Sequence, residues 1–199
     1  SARGCDSNAD RILVVADLTC TVRRSFGGSC LAGMTVAGAA EPAVVSAPAA
    51  APLLAGQTSN VPLTLQTKGH NVAAFAASLS FDGAKVKLDP TDADGDGLPD
   101  AVHFQLPAGM YRMASYDAVT GRLDLVATGL VMPLPTLADG VIVTVDLTPV
   151  AGADMTPAAL TLSNLSLGDS EGSTVPAVAG VTDVPAAGMH LFLPAIVSK

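Results

Sequence analysis

Tryptophan is absent from this 199-residue chain, and the aromatic content is only 4%, from two Tyr and five Phe. Glutamate is nearly as scarce. Glu41 and Glu171 stand alone beside 16 Asp, so the Glu/Lys/Leu mixture that helices favour is missing. Few conventional carboxylate pairs remain for glycoside hydrolysis, although Asp can serve there. Basic residues number 10 against 18 acidic ones, a formal net charge of −8. Such a surface repels phosphate backbones, which argues against a nucleic-acid partner. Long apolar runs are lacking too. Leu191 to Val197 is the longest near either end, and it is too short for a bilayer and contains Pro194.

What is plentiful is Val, Thr and Ala, with 19 Gly and 14 Pro. That composition reads as many short strands joined by tight turns. Hydrophobic residues make up 49% and charged ones 14%, too apolar a mixture for a disordered chain. The expectation is an acidic all-β protein with one sizeable core.

Catalytic signatures are missing as well. His70, His103 and His190 are far apart and form no HExxH pair. No GxSxG elbow and no glycine-rich phosphate loop before a helix occurs. No CxxC motif provides a zinc site. The reading is a protein that is not an enzyme.

Residue 1 is Ser, and no charged and apolar leader remains at the front, the appearance that a cleaved export signal leaves. A secreted or cell-surface location is therefore expected. Cys5, Cys20 and Cys30 all lie in the first thirty residues. Gly27-Gly28 can supply the positive φ of a hairpin turn between Cys20 and Cys30, bringing them within disulfide reach. Cys5 is then left over, with three fates open: a free thiol, a replacement for one partner, or a bond to another chain.

Along the chain, Ile12 to Val15 and Thr19 to Val22 read as strands of an N-terminal hairpin arm. Glu41 to Pro52 is Pro/Ala-rich and cannot be helical across Pro42, Pro48 and Pro52. It reads as a spacer or an edge strand. Strand patterns then sharpen. Val61, Leu63 and Leu65 alternate with polar or small neighbours. Ala73, Phe75, Ala77, Leu79 and Phe81 form one apolar face, while Ala74, Ala76, Ser78 and Ser80 are small enough to pack against something close. Val86 and Leu88, Leu123 and Leu125, and Val141, Val143, Val145 and Leu147 continue the alternation. Leu160 and Leu162 share one register and Leu165 and Leu167 the other, so a bulge is expected at Ser163-Asn164. Strands at this spacing make a sandwich.

The order of these segments is informative: AGQTSNVPLTLQ, NVAAFAASLSFDGAKVKL, a variable middle, GRLDLVATG, DGVIVTVDLTPV, then ALTLSNLSLGDSEGSTVPAVAG. From about Ala51 to Asp183 this resembles the cohesin family of extracellular β-sandwiches. The resemblance implies a jelly-roll sandwich of about nine strands with no catalytic centre, binding its partner through a sheet face. The chain divides accordingly into an N-terminal strand-forming arm and linker (1–50), the sandwich (51–184) and an apolar tail (185–199). HLFLPAIVSK in that tail is similar to an apolar Leu-Pro ending of exported proteins of some filamentous bacteria.

One motif carries strong chemistry. Asp92, Asp94, Asp96 and Asp100 occupy positions 1, 3, 5 and 9 of a loop with Gly97 at position 6. That spacing wraps hard oxygen ligands around one Ca²⁺, with the Leu98 carbonyl at position 7 as another. His103 stands at position 12, where an EF-hand places a bidentate Glu, so Asp89 is the candidate for an outside ligand. Pro90 before the loop and a strand-like Val102 to Leu106 after it make this an EF-like loop between strands.

The function expected is non-catalytic: a calcium-stabilised surface or adhesion protein that joins other copies of itself into a filament. Ile12, Leu13, Val14 and Val15 are the candidate donated strand. The alternatives are a receptor for a dockerin-bearing protein and a carbohydrate-binding module using Tyr111 and Tyr116 on surface glycans.

Overall fold

The computed structural model describes residues 14–30 and 41–182. Within them one helix, α1 (Val15–Ser25), precedes twelve strands: β1 (Ala43–Pro48), β2 (Ala50–Ala51), β3 (Ser59–Gln66), β4 (Val72–Phe81), β5 (Val86–Lys87), β6 (Val102–Phe104), β7 (Met110–Asp117), β8 (Arg122–Gly129), β9 (Gly140–Pro149), β10 (Ala158–Asp169), β11 (Thr174–Val175) and β12 (Ala177–Thr182). Two sheets face each other. The first runs β12-β1-β3-β9-β5, with β6 sharing the outer side of β9. The second runs β11-β10-β4-β8-β7, with β2 on β10. The expected all-β sandwich is what forms; the surplus over nine strands comes largely from the two-residue pairings β2, β5 and β11.

Alternation builds the core. Phe75, Leu79, Leu123, Leu125 and Leu167 of the second sheet meet Val45, Val61, Leu63, Leu65, Val143, Val145 and Leu147 of the first, all without solvent exposure. Tyr116 stacks on Phe81 with ring centroids 5.8 Å apart, so it packs rather than facing a ligand. The expected slip on β10 is present: its register on β4 jumps between Ser163 and Ser166, with Asn164 at φ 49. A second irregularity was not expected. Between Leu63 and Thr64 the partner on β9 jumps from Val143 to Val141, so Ile142 turns inward (2% exposed) where Val141 was placed.

Three expectations need correction. Thr19 to Val22 is helical rather than strand, and Val15 begins the same helix. The helix is understandable from its residues. The Val14 N–H donates to the Asp17 carboxylate at 2.9 Å, closing the first turn. Thr19, Thr21 and Ser25, poor helix formers, donate their hydroxyls to carbonyls three or four residues back. Arg23 and Arg24 in the last turn suit the negative end of the dipole. Val15, Ala16, Thr19 and Cys20 fall on one buried face. Ile12 and Leu13 of the expected donated strand lie outside the described residues.

The second correction concerns the Pro/Ala segment. Ala43 to Pro48 is no spacer but strand β1, paired in parallel with β12 on one side and antiparallel with β3 on the other. The sandwich therefore starts near residue 43 rather than 51. The third concerns the disulfide. Cys20 and Cys30 are bonded as expected, with Cα atoms 5.6 Å apart, but no hairpin brings them together. Gly27 (φ 80) ends the helix, Gly28 donates back to the Arg23 carbonyl, and the chain turns Cys30 onto the helix.

Helix α1 lies on the outer face of β10, β4 and β8. That face is made of the small side chains of β4, with Ala74 and Ser78 buried. At Gly168 of β10 an added Cβ would lie 2.8 Å from the Ala16 Cα. Gly168→Ala is accordingly expected to cost about 1–3 kcal/mol, as overpacking does. The check is chemical denaturation together with amide exchange, which should lose protection first in α1. Unchanged stability would mean that helix and sheet are not in this contact.

Candidate functional site

Two features stand out: an acidic loop at one open side of the sandwich, and a groove beside α1. The loop joins β5 to β6. Its first carboxylate organises it, since Asp92 accepts the N–H groups of Gly95, Asp96 and Gly97 at 2.8–3.1 Å. Gly95 (φ 73) and Gly97 (φ 84) make the tight turns this requires. The Ala93 N–H points at Asp100, whose own N–H reaches back to the Thr91 carbonyl. Leu98 anchors the loop with its side chain 5% exposed.

The structure brings three of the expected ligands together. One oxygen each from Asp92, Asp94 and Asp100 lies within 4.8 Å of the others, and all three residues are exposed. Asp96 and Asp89 are engaged elsewhere. Asp96 gives one oxygen to the Leu98 N–H and the other to the Arg112 guanidinium at 2.7 Å. Asp89 accepts the hydroxyl and N–H of Thr91, which hold its carboxyl below the usual range. His103, at position 12, turns to Asp146 at 3.1 Å. Three hard carboxylate oxygens on a glycine-turned loop fit a calcium ion, and a cation there would relieve their mutual repulsion. Arg112 is the residue that sequence reasoning missed: it sits on β7, in the stretch taken as a variable middle.

The groove runs along the outer face of the second sheet. Val14, Val15 and Leu18 form one wall, Ala76 and Val126 the floor, and Leu165 the other wall of an open hollow of about 590 Å³, which Asp17, Asn164 and Ser166 also line. Leu18 stands 45% exposed at its lip, and Met113 and Tyr111 on neighbouring β7 are 42% and 50% exposed. A polar network meets the groove at Asn164. Ser78 donates to Asp124 at 2.5 Å, Arg122 Nε reaches the same carboxylate at 2.8 Å, and the bulged Asn164 donates to Ser78 at 3.0 Å. Small residues on β4 signalled a close neighbour in the sequence, but not that the neighbour would be a helix covering only part of the face.

The nearest chemistry to a catalytic cluster is modest. His70 Nε2 faces the Glu41 carbonyl, and His103 pairs with Asp146. No helix among the described residues is long and apolar enough to cross a membrane.

Comparison with known proteins places this architecture. No family model matches the chain, and no curated protein does. Solved structures do. The sixth cohesin of scaffoldin B from Acetivibrio cellulolyticus, solved in complex with a Cel5 dockerin, superposes with a TM-score of 0.57 at 16% identity, over 70% of this chain and 94% of that one. The seventh ScaB type I cohesin of Pseudobacteroides cellulosolvens gives 0.53 at 11% identity, over 70% and 87%. A type I cohesin–dockerin complex from Clostridium thermocellum gives 0.51 at 8% identity, over 70% and 94%. At these identities the fold is what is shared. The chain is a cohesin-like β-sandwich, and in it α1 lies on the outer face of one sheet.

Several surface carboxylates are held in their charged form. The Thr120 hydroxyl lowers Asp117, the Thr67 N–H lowers Asp139, and the Thr156 hydroxyl with Lys85 lowers Asp154. A carboxyl depressed in the folded state stabilises it above the unfolded pKa of about 4, and that contribution fades as pH falls through the lower folded value. The stability gap between wild type and Asp139→Asn should thus be full at neutral pH and shrink below about pH 4, measured by denaturation with EDTA present. A gap that stays constant with pH would show that Asp139 contributes nothing through its charge.

Proposed function

We propose that this protein is a non-catalytic, exported protein-binding module, clamped by Ca²⁺ at the Asp92–Asp100 loop and receiving its partner on the outer face of the second sheet. The groove between α1 and β8 carries the reading. An apolar hollow with Leu18 exposed at its lip, continued by Met113 and Tyr111, is the kind of surface that excludes water around a docked protein. The similar sandwiches from Acetivibrio cellulolyticus and Clostridium thermocellum were solved in complex with dockerins, which supports a dockerin-like partner here. Calorimetric titration against a panel of purified dockerin domains tests this. Binding that Leu18→Asp weakens tenfold or more supports the groove. Binding indifferent to both Leu18→Asp and Val126→Asp moves docking to another surface, and no binding at all removes the dockerin-like partner.

Calcium would be held by Asp92, Asp94 and Asp100. When bound it supplies positive charge that ties the loop's carboxylates together. Through Asp96 and Arg112 the loop already links the β5–β6 connection of the first sheet to β7 of the second. A ligand that binds only the folded state at a hundredfold excess over Kd adds about 2.7 kcal/mol. EDTA should therefore lower the melting temperature, and Asp92→Ala with Asp94→Ala should remove that response. A wild-type melting curve unaffected by EDTA would sink the clamp.

Self-assembly into a surface filament is a second reading. It is favoured by one observation: the outer side of β12 carries no strand among the described residues.

A further inference from the structure

The four sheet edges are not alike. On the second sheet, β7 carries Arg112 and Asp117, and the opposite edge consists of the two-residue strands β2 and β11. On the first sheet, β5 and β6 share one edge, separated by the Asp-rich loop. Charge and shortness are the usual protections of an edge against strand addition. The remaining edge has neither. β12 reads Ala-Val-Ala-Gly-Val-Thr over six uncharged residues, and Val178 and Val181 stand 45% and 69% exposed. Its inner side is paired along the full length with β1, from Ala43–Ala177 to Pro48–Thr182, which holds it straight as a template. About half its backbone N–H and C=O groups point outward, as in any edge strand.

We infer that β12 accepts Leu191–Val197 of a second copy as an added strand, so that copies join head to tail. The proposal rests on the self-assembly reading and supplies its surfaces. Two uncharged apolar segments lie outside the expected sandwich: Ile12 to Val15 and Leu191 to Val197. Val14 and Val15 of the first are engaged in their own copy, since Val15 begins α1 and both line the groove. The second, Leu-Phe-Leu-Pro-Ala-Ile-Val, matches the acceptor in length and lack of charge. Its Pro194 also suits an outermost strand, where the missing N–H faces away from the sheet. Residues 183–190 separate it from β12, a span of up to about 27 Å when extended, enough to reach an adjoining copy. Donor and acceptor are different surfaces of one chain. The contact is therefore heterologous, and it yields open chains unless the rotation between copies closes a ring.

The test uses the full chain with Cys5→Ser, which removes one route to covalent multimers, and sedimentation velocity across concentration. Val178→Lys with Val181→Lys blocks the acceptor and leaves the donor. Leu193→Asp with Ile196→Asp blocks the donor and leaves the acceptor. The parent should form oligomers that grow with concentration, and each variant should be monomeric with the parent's melting temperature. An equimolar mixture of the two variants should form a heterodimer and stop there, since one good end of each kind remains. Should the double-lysine variant melt early, Val181→Lys alone, at the most exposed site, replaces it. Oligomers that persist in either variant would place assembly on another surface, overturning this proposal while self-assembly stands. A mixture that stays monomeric overturns it as well. A parent that is monomeric at every concentration overturns both.

Discussion

Strand β4 is buried on both of its faces, and most of the structure follows from that. Its inner side chains, Phe75, Ala77, Leu79 and Phe81, belong to the single core between the sheets. Its outer ones are Ala74, Ala76, Ser78 and Ser80, too small to protrude. A strand so built needs cover on the side away from the core, and α1 provides it. The cover is partial. Beside the first turn of the helix, Ala76 of this small face continues into Val126 and becomes the floor of the groove. Core packing, helix docking and the candidate interface are thus three consequences of one alternation of large and small residues.

The acidic loop answers a different problem. The β5–β6 connection would be a loose excursion at the side of the sandwich. Asp92 gathers three amide groups, Leu98 plugs the loop into the body, and Asp96 reaches Arg112 on the opposite sheet. An exposed ion pair of this kind is worth little alone. Its interest is positional: it ties the loop between two strands of the first sheet, β5 and β6, to β7 of the second.

The sandwich was legible in the sequence because period-two alternation is a strong signal where one face is buried, as at Val61–Leu65 and Leu123–Leu125. The bulge at Ser163-Asn164 was legible for the same reason, since a slip inverts the pattern. The helix was hidden by composition. Val15, Thr19, Thr21 and Val22 have strand-like propensities, and only the pairs 15/16 and 19/20 carried the helical period. Strand β1 was hidden by its prolines: Pro48 falls at the strand's end, where a ladder tolerates it, so the segment resembled a linker. For the loop, spacing along the chain foretold which carboxylates share a turn. It did not foretell that Asp96 would face Arg112, because that contact depends on how two sheets align.

The parallel pairing of β1 with β12 also has a bearing on how the chain reaches its fold. The first and last strands of the sandwich lie side by side, so Ala43 must wait for Ala177. Nearly the whole described chain separates them, and closing so long a loop is a late and entropically costly step. Until it happens, β1 exposes one unpaired side, although its other partner, β3, is close in sequence. During synthesis or export the sheet therefore stays incomplete until almost the last described residue has emerged. The order in which the chain appears becomes a kinetic constraint, and a nascent β1 is an open strand that a second unfinished copy could capture.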